Sequence, residues 1–355
     1  MSIRILRTGL IAVTAALFAP VLAEAQQAPA PPGWQVPRTP YGHPDLQGNW
    51  SNATITPIQR PEGQEPTLTQ AEVDEIQGQR EERIEEEAAP TDPDREAPPV
   101  GGDGSTGAAG GVGGYNYFWI DAGDRVAVVN GQYRSSLTTF PPDGRVPQMT
   151  PEAQQRRRAA FANRGGGGAY DNPESRPASE RCIVSFGSNA GPPMLPNYFY
   201  NNNYTIVQTP DAVMIMTEMV HDARIIRLGE RTNPLPDHIT PYFGDSWGEW
   251  VGDTLVVETT NIRPSQSFQG APVTPEAKVI ERFTRAGPNT LNYEFAVIDP
   301  STFVSEWRGQ VPFNRQPGQV YEYACHEGNY AMVNVLSGAR AQERREAEEN
   351  NQSSR

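Results

Sequence analysis

The sequence predicts a mainly β protein: an antiparallel barrel or a β-sandwich with peripheral helices. Three observations carry this. Apolar and polar residues alternate along short runs, most clearly at Leu291, Tyr293, Phe295 and Val297. Turn residues such as Gly252-Asp253, Gly287-Pro288-Asn289 and Asp299-Pro300 separate the runs. Long helices do not alternate regularly with the strands, which argues against a doubly wound α/β sheet.

The N-terminus reads as an export signal. Arg4 and Arg7 precede an apolar run from Leu10 through Leu22, and Ala23-Glu24-Ala25 fits a small-x-small cleavage site. The run is short for a transmembrane span, and no later stretch approaches about 18 apolar residues. No lipobox cysteine follows it. The expected location is periplasmic or secreted, with no transmembrane segment in the mature chain. Cleavage after Ala25 removes two positive charges and one negative, taking the net charge from −14 to −15.

Residues 26–40, rich in Ala, Pro and Gln, read as a flexible leader. A single β-rich domain is expected over 41–345, with a charged tail over 346–355. Leu46 and Trp50, in Asp45-Leu46-Gln47-Gly48-Asn49-Trp50, anchor its first segment. A helix over 68–88 starts at Thr69, with Glu72 in capping-box register. Its second half, Arg80 to Glu87, is a solvated charged face. Glycine-rich loops follow at 89–114 and 159–180. Between them, Asp124 to Asn130 reads as a strand. A helix starts near Thr150-Pro151-Glu152, with Thr150 as cap and Pro151 at the first position.

Further strands are expected at Tyr204–Gln208, Ala212–Met216 and Thr254–Thr260, and along the face shared by Phe303, Trp307 and Val311. The last helix runs from about Tyr330 to Glu348, with Val333, Leu336 and Ala339 as an apolar stripe.

Acidic residues outnumber basic ones, 43 to 29. That argues against non-specific nucleic-acid binding, which needs basic residues to displace counterions from phosphates. The two cysteines, Cys182 and Cys325, form a disulfide in an oxidising compartment or stand as two buried thiols.

Two of the four histidines sit in dense polar clusters. One is Glu218-Met219-Val220-His221-Asp222-Ala223-Arg224. The other is Tyr321 to Tyr330, with His326 and Glu327. An acid/base pair of His221 and His326 is the first expectation, because imidazole titrates near neutral pH. Asp222 or Glu327 would orient an imidazole, with Glu218 a weaker partner. Arg224 or Arg134 would hold a substrate carboxylate. On a regular strand Glu218 and His221 face opposite ways, so sharing a pocket requires a bulge or turn near Met219.

No organic cofactor is expected. A divalent metal at His221, His326 and a carboxylate is a secondary reading, since HExxH and close His pairs are absent. No GxSxG occurs, which argues against serine hydrolysis. Two aromatic-amide clusters suggest ligand contacts: Tyr115, Asn116 and Trp119 in one, Asn202, Asn203 and Tyr204 in the other.

These stretches together resemble a large group of uncharacterised exported bacterial proteins. The resemblance rests on Asp45 to Trp50, Gly191-Pro192-Pro193-Met194-Leu195-Pro196, Glu218 to Ile226, Gly248 to Val257 and Tyr321 to Tyr330. It implies no chemistry. Trp250-Val251-Gly252-Asp253-Thr254-Leu255 also looks like hairpins of lipocalin-like barrels, which implies a barrel around a small-molecule pocket. Two functions follow as expectations. One is an exported lyase, isomerase or hydrolase using His/carboxylate chemistry on a small polar or aromatic metabolite. The other is a periplasmic small-molecule-binding protein without catalysis. Oligomeric state is left open.

Overall fold

The computed structural model of the protein describes residues 30–89, 94, 120–164, 168–185 and 191–353. The export signal, most of the 89–114 loop, and Tyr115, Asn116 and Trp119 lie outside the described residues.

The first strands are β1 (Gly48–Ser51), β2 (Val128–Val129), β3 (Gln132–Tyr133) and β4 (Thr138–Phe140). Then come β5 (Asn203–Gln208), β6 (Ala212–Thr217), β7 (Asp222–Leu228), β8 (Asp245–Val251) and β9 (Thr254–Thr260). The last are β10 (Ser267–Phe268), β11 (Ala271–Pro272), β12 (Lys278–Arg285), β13 (Thr290–Ile298) and β14 (Trp307–Arg315). The helices are α1 (Gln70–Ala88), α2 (Pro151–Arg164) and α3 (Tyr330–Ser353).

Nine strands close a barrel in the order β1-β5-β6-β7-β8-β9-β12-β13-β14, and β14 returns to β1 with Trp50 opposite Arg315. Strand β4 adds to β14 elsewhere along its length. The barrel is chosen over the sandwich, and closure pairs the edges that an open sheet would leave bare. The expected antiparallel arrangement needs one correction. Strands β7 and β8 run parallel, with Ile226 opposite Ser246. A parallel neighbour requires a crossover rather than a hairpin, and the connection over 229–244 supplies it.

Strict alternation fills the interior. Val213 and Ile215 on β6, Leu255 and Val257 on β9, and Leu291, Tyr293, Phe295 and Val297 on β13 are all buried. Across the middle lies a run of rings: Tyr204 to Phe313 at 5.2 Å between centroids, Phe313 to Tyr293 at 5.4 Å, Tyr293 to Phe283 at 5.0 Å. Phe295 meets Trp307 edge-on at 5.1 Å. Gly309 makes room for this, because a Cβ there would stand 2.4 Å from the Phe295 ring. The Gly191–Pro196 stretch closes over this cluster and seats Met194 and Leu195, each 1% exposed.

The α1 start is as expected: the Thr69 hydroxyl accepts from the Glu72 N–H, and the Glu72 carboxylate accepts from Thr69 N–H. Pro151 opens α2, and the Thr150 hydroxyl accepts from Ala153 N–H at 3.1 Å. Three expectations change. The run Asp124–Asn130 contributes only β2, which pairs with β3 beside the barrel through an Asn130-Gly131 turn, both residues at positive φ. Phe303 lies before β14 rather than in it, packed 6.4 Å from Trp307. Helix α3 extends to Ser353, and none of its 24 residues is buried. Its Val333 is 68% exposed, so the apolar stripe has no covering layer there.

Candidate functional site

Strand parity puts Arg224 and Glu281 inside the barrel, where they form a bidentate ion pair at 2.7 and 3.0 Å. Arg224 is 4% exposed and Glu281 is 0% exposed. Burial works against the Arg224 charge, but Glu281 outweighs it and the pKa is raised. The Tyr293 hydroxyl donates to Glu281 at 3.0 Å and accepts from Met194 N–H at 2.9 Å. Its pKa is driven well up, first by burial and then by Glu281. Asn52 donates to the Tyr204 hydroxyl at 3.2 Å and to the Met194 carbonyl at 3.4 Å. This network locks the Gly191–Pro196 stretch over the rings as a plug. Arg224 is therefore spent on Glu281 and is not open to a substrate carboxylate.

The histidine clusters take a different form. The turn anticipated near Met219 exists, a 3-10 turn over Met219–His221 with Val220 and His221 at positive φ. It leaves His221 and Asp222 exposed, while Glu218 is half-buried and accepts from Asn203 at 2.8 Å. His326 and Glu327 are also exposed. Among the described residues, no three His, Cys, Asp or Glu side chains gather as a metal site would need. Neither histidine lines either of the two cavities below.

The other candidates hold structure together. Asn202 is fully buried; its amide donates to the Asp121 carbonyl at 2.8 Å and accepts from Asn197 N–H at 3.1 Å. Tyr204 is fully buried among the rings, and burial raises its pKa. Arg134 donates to Gln310 at 2.9 Å, and burial lowers its pKa more than Glu294 raises it. Beside Asn202, Asp121 has its pKa pushed up to about 6 by lost hydration, then by Glu218 and Asp124. The residue keeps an exposed face.

The expected disulfide is present: Cys182 and Cys325 are bonded, with Cα atoms 5.7 Å apart. It lines a cleft of about 520 Å³. On one wall are Tyr170, Arg176 and Glu180; on the other, Tyr323, Met332 and Val335 from the C-terminal segment. The polar groups in it satisfy one another. Arg176 clamps Glu180 at 2.8 and 2.9 Å, donates to the Ala169 carbonyl at 3.1 Å, and lies 4.4 Å over the Tyr170 ring. Asn329 donates to the Glu180 carbonyl at 2.8 Å and to the Cys182 Sγ at 3.4 Å. A smaller pocket of about 40 Å³ lies beside the plug, between Pro192, Phe268 and Trp307.

The cluster 321–330 thus supplies the cleft, but through Tyr323, Cys325 and Asn329 rather than His326 and Glu327. Met332 and Val335, on α3 beside the expected stripe of Val333, Leu336 and Ala339, complete the lining. Glu281 was legible in the sequence: in Val279-Ile280-Glu281-Arg282-Phe283 it is the carboxylate on the apolar face. Comparison of the chain with protein-family models, curated proteins and solved structures finds no match. The barrel and its buried aromatic cluster therefore stand on this chain's own geometry. No helix among the described residues is long and apolar enough to cross a membrane.

Proposed function

We propose that this chain is an exported small-molecule-binding protein without catalysis, and that the cleft beside the disulfide is its site. The carrying observation is the cleft itself: at about 520 Å³ it falls within the roughly 300–1,000 Å³ of ordinary ligand sites. The 40 Å³ pocket is too small for that role. His221 and His326 are exposed and line neither described cavity, which favours binding over acid/base chemistry by that pair. The lining selects the ligand. Three of the five Arg176 N–H donors are already taken by Glu180 and a carbonyl, and Glu180 offsets its charge, so the clamp disfavours an anion. Tyr170, Tyr323, Met332 and Val335 offer rings and apolar surface to an uncharged aromatic molecule. The export pattern of residues 1–25 and the resemblance to exported bacterial proteins support a periplasmic or secreted setting.

Ligand-observed NMR on the full chain tests this, with indole as the neutral aromatic probe and benzoate as the anionic one. Saturation transfer to indole that exceeds benzoate and disappears in Val335→Glu is the expected result. Absence of transfer to indole at millimolar concentration, or transfer unchanged by Val335→Glu, overturns the proposal.

A further inference from the structure

We propose that the Cys182–Cys325 bond is a thiol-exchange site, attacked at Cys325 by a small thiol entering through the cleft, and that exchange opens the cleft. The regulatory part rests on the binding site proposed above; the exchange site does not. Three observations carry it. Both cysteines line a cleft large enough to admit a low-molecular-weight thiol. The two cysteines are unequally covered as residues, with Cys182 4% exposed and Cys325 half-buried, so approach favours Cys325. The Asn329 amide donates to the Cys182 Sγ at 3.4 Å, where it would stabilise the thiolate that leaves.

The exchange balances without any outside oxidant. A thiolate RS⁻ forms a bond to the Cys325 sulfur, the Cys325–Cys182 bond breaks, and the electron pair leaves on Cys182 as thiolate. A second RS⁻ can then release Cys325 as thiolate, with the small thiol oxidised to its own disulfide.

The bond also ties the C-terminal segment to the loop around 170–182, at a sequence separation of 143 residues. No α3 residue is fully buried, and Met332, Leu336 and Ala339 are only half-buried, so packing holds the helix weakly. Among the described residues, the polar and ring contacts of this segment include the Asn329 amide on the Glu180 carbonyl, Arg340 on the Tyr170 carbonyl, and Tyr323 against Tyr200 at 6.4 Å. Cutting the bond frees the wall that carries Tyr323, Met332 and Val335, and the cleft ceases to exist. The barrel, closed by its own strands, is untouched.

The test treats the folded, oxidised full chain with millimolar glutathione and no denaturant, blocks free thiols with iodoacetamide, and maps both cysteines by mass spectrometry. Amide hydrogen exchange is read on α3 and on the barrel strands. The expected result is glutathione on Cys325, alkylation on Cys182, and loss of protection in α3 with the barrel unchanged. The double variant Cys182→Ser/Cys325→Ser should show the same α3 exchange without any thiol. A bond that yields only when the barrel is unfolded in urea, an adduct confined to Cys182, or α3 protection that survives in the double variant overturns the proposal. Indole binding is measured separately on the oxidised chain. If that fails, the binding reading falls, while the adduct map still decides the exchange site.

Discussion

Replacing Glu281 by leucine should be among the most damaging single changes available in this barrel. The carboxylate is fully buried and accepts two bonds from Arg224 and one from Tyr293. Arg224 has its Nε unpartnered already, so losing Glu281 leaves the whole guanidinium without an acceptor, 4% exposed. Stranding a buried charge costs about 3–5 kcal/mol, and the lost Tyr293 bond adds about 1 kcal/mol. The sum, about 4–6 kcal/mol, is a large part of the roughly 5–15 kcal/mol that holds a domain folded. Urea unfolding with the disulfide intact is the assay. With a slope of about 3 kcal/mol/M, the midpoint should fall by about 1.3–2 M. The double change Arg224→Met/Glu281→Leu removes the charge along with its partner and should recover to within about 1 kcal/mol of the parent. A single variant that loses less than about 1 kcal/mol, or a double variant no better than the single, would refute the reasoning.

Other outcomes follow from single contacts. Gly309→Ala drives a methyl into the Phe295 ring 2.4 Å away and should cost about 1–3 kcal/mol in chemical denaturation. Thr69→Ala removes half of the α1 capping box and should cost about 1 kcal/mol, read as a lower melting temperature. His221→Ala and His326→Ala, at exposed positions, should each stay within about 0.5 kcal/mol of the parent and leave indole binding unchanged. Asp121 binds its proton more tightly in the folded chain, near about 6 against the usual 3.8. Between those values the native state holds the extra proton, so Asp121 lowers stability as pH rises from about 4 to about 6 and adds no further slope above. Melting temperature against pH for Asp121→Asn should lack that decline; an identical profile would count against the shift.

Local chemistry was legible in the sequence wherever the signal stays within a few residues. The Thr69/Glu72 box, Pro151 opening α2, and the hairpin at Gly252-Asp253 all came from residues close in the chain. The alternation of Leu291, Tyr293, Phe295 and Val297 fixed which side chains face inward, because successive residues of a strand point to opposite faces. The disulfide was open to two readings, since sequence gives two cysteines but not the distance between them. The candidate site was harder. Density of His, Glu and Asp in a short element signals polarity, but it does not say whether neighbouring elements cover it. The turn at Met219–His221 turns His221 outward, and the segment before α3 presents Cys325 and Asn329 to the cleft while His326 faces solvent.

By itself, then, the sequence determined several of the strands, the helix starts at Thr69 and Pro151, the inward face of β13 and the acidic balance. Those depend on backbone periodicity and local hydrogen bonds. Only tertiary structure decided that β7 and β8 run parallel, that nine strands close on themselves, and that Arg224 meets Glu281 across 57 positions of chain. It also decided that the interior is filled by rings while the larger cleft lies outside, against the disulfide. Each of these is a meeting of segments far apart in the chain, and which segments meet is set by how all the buried faces pack at once.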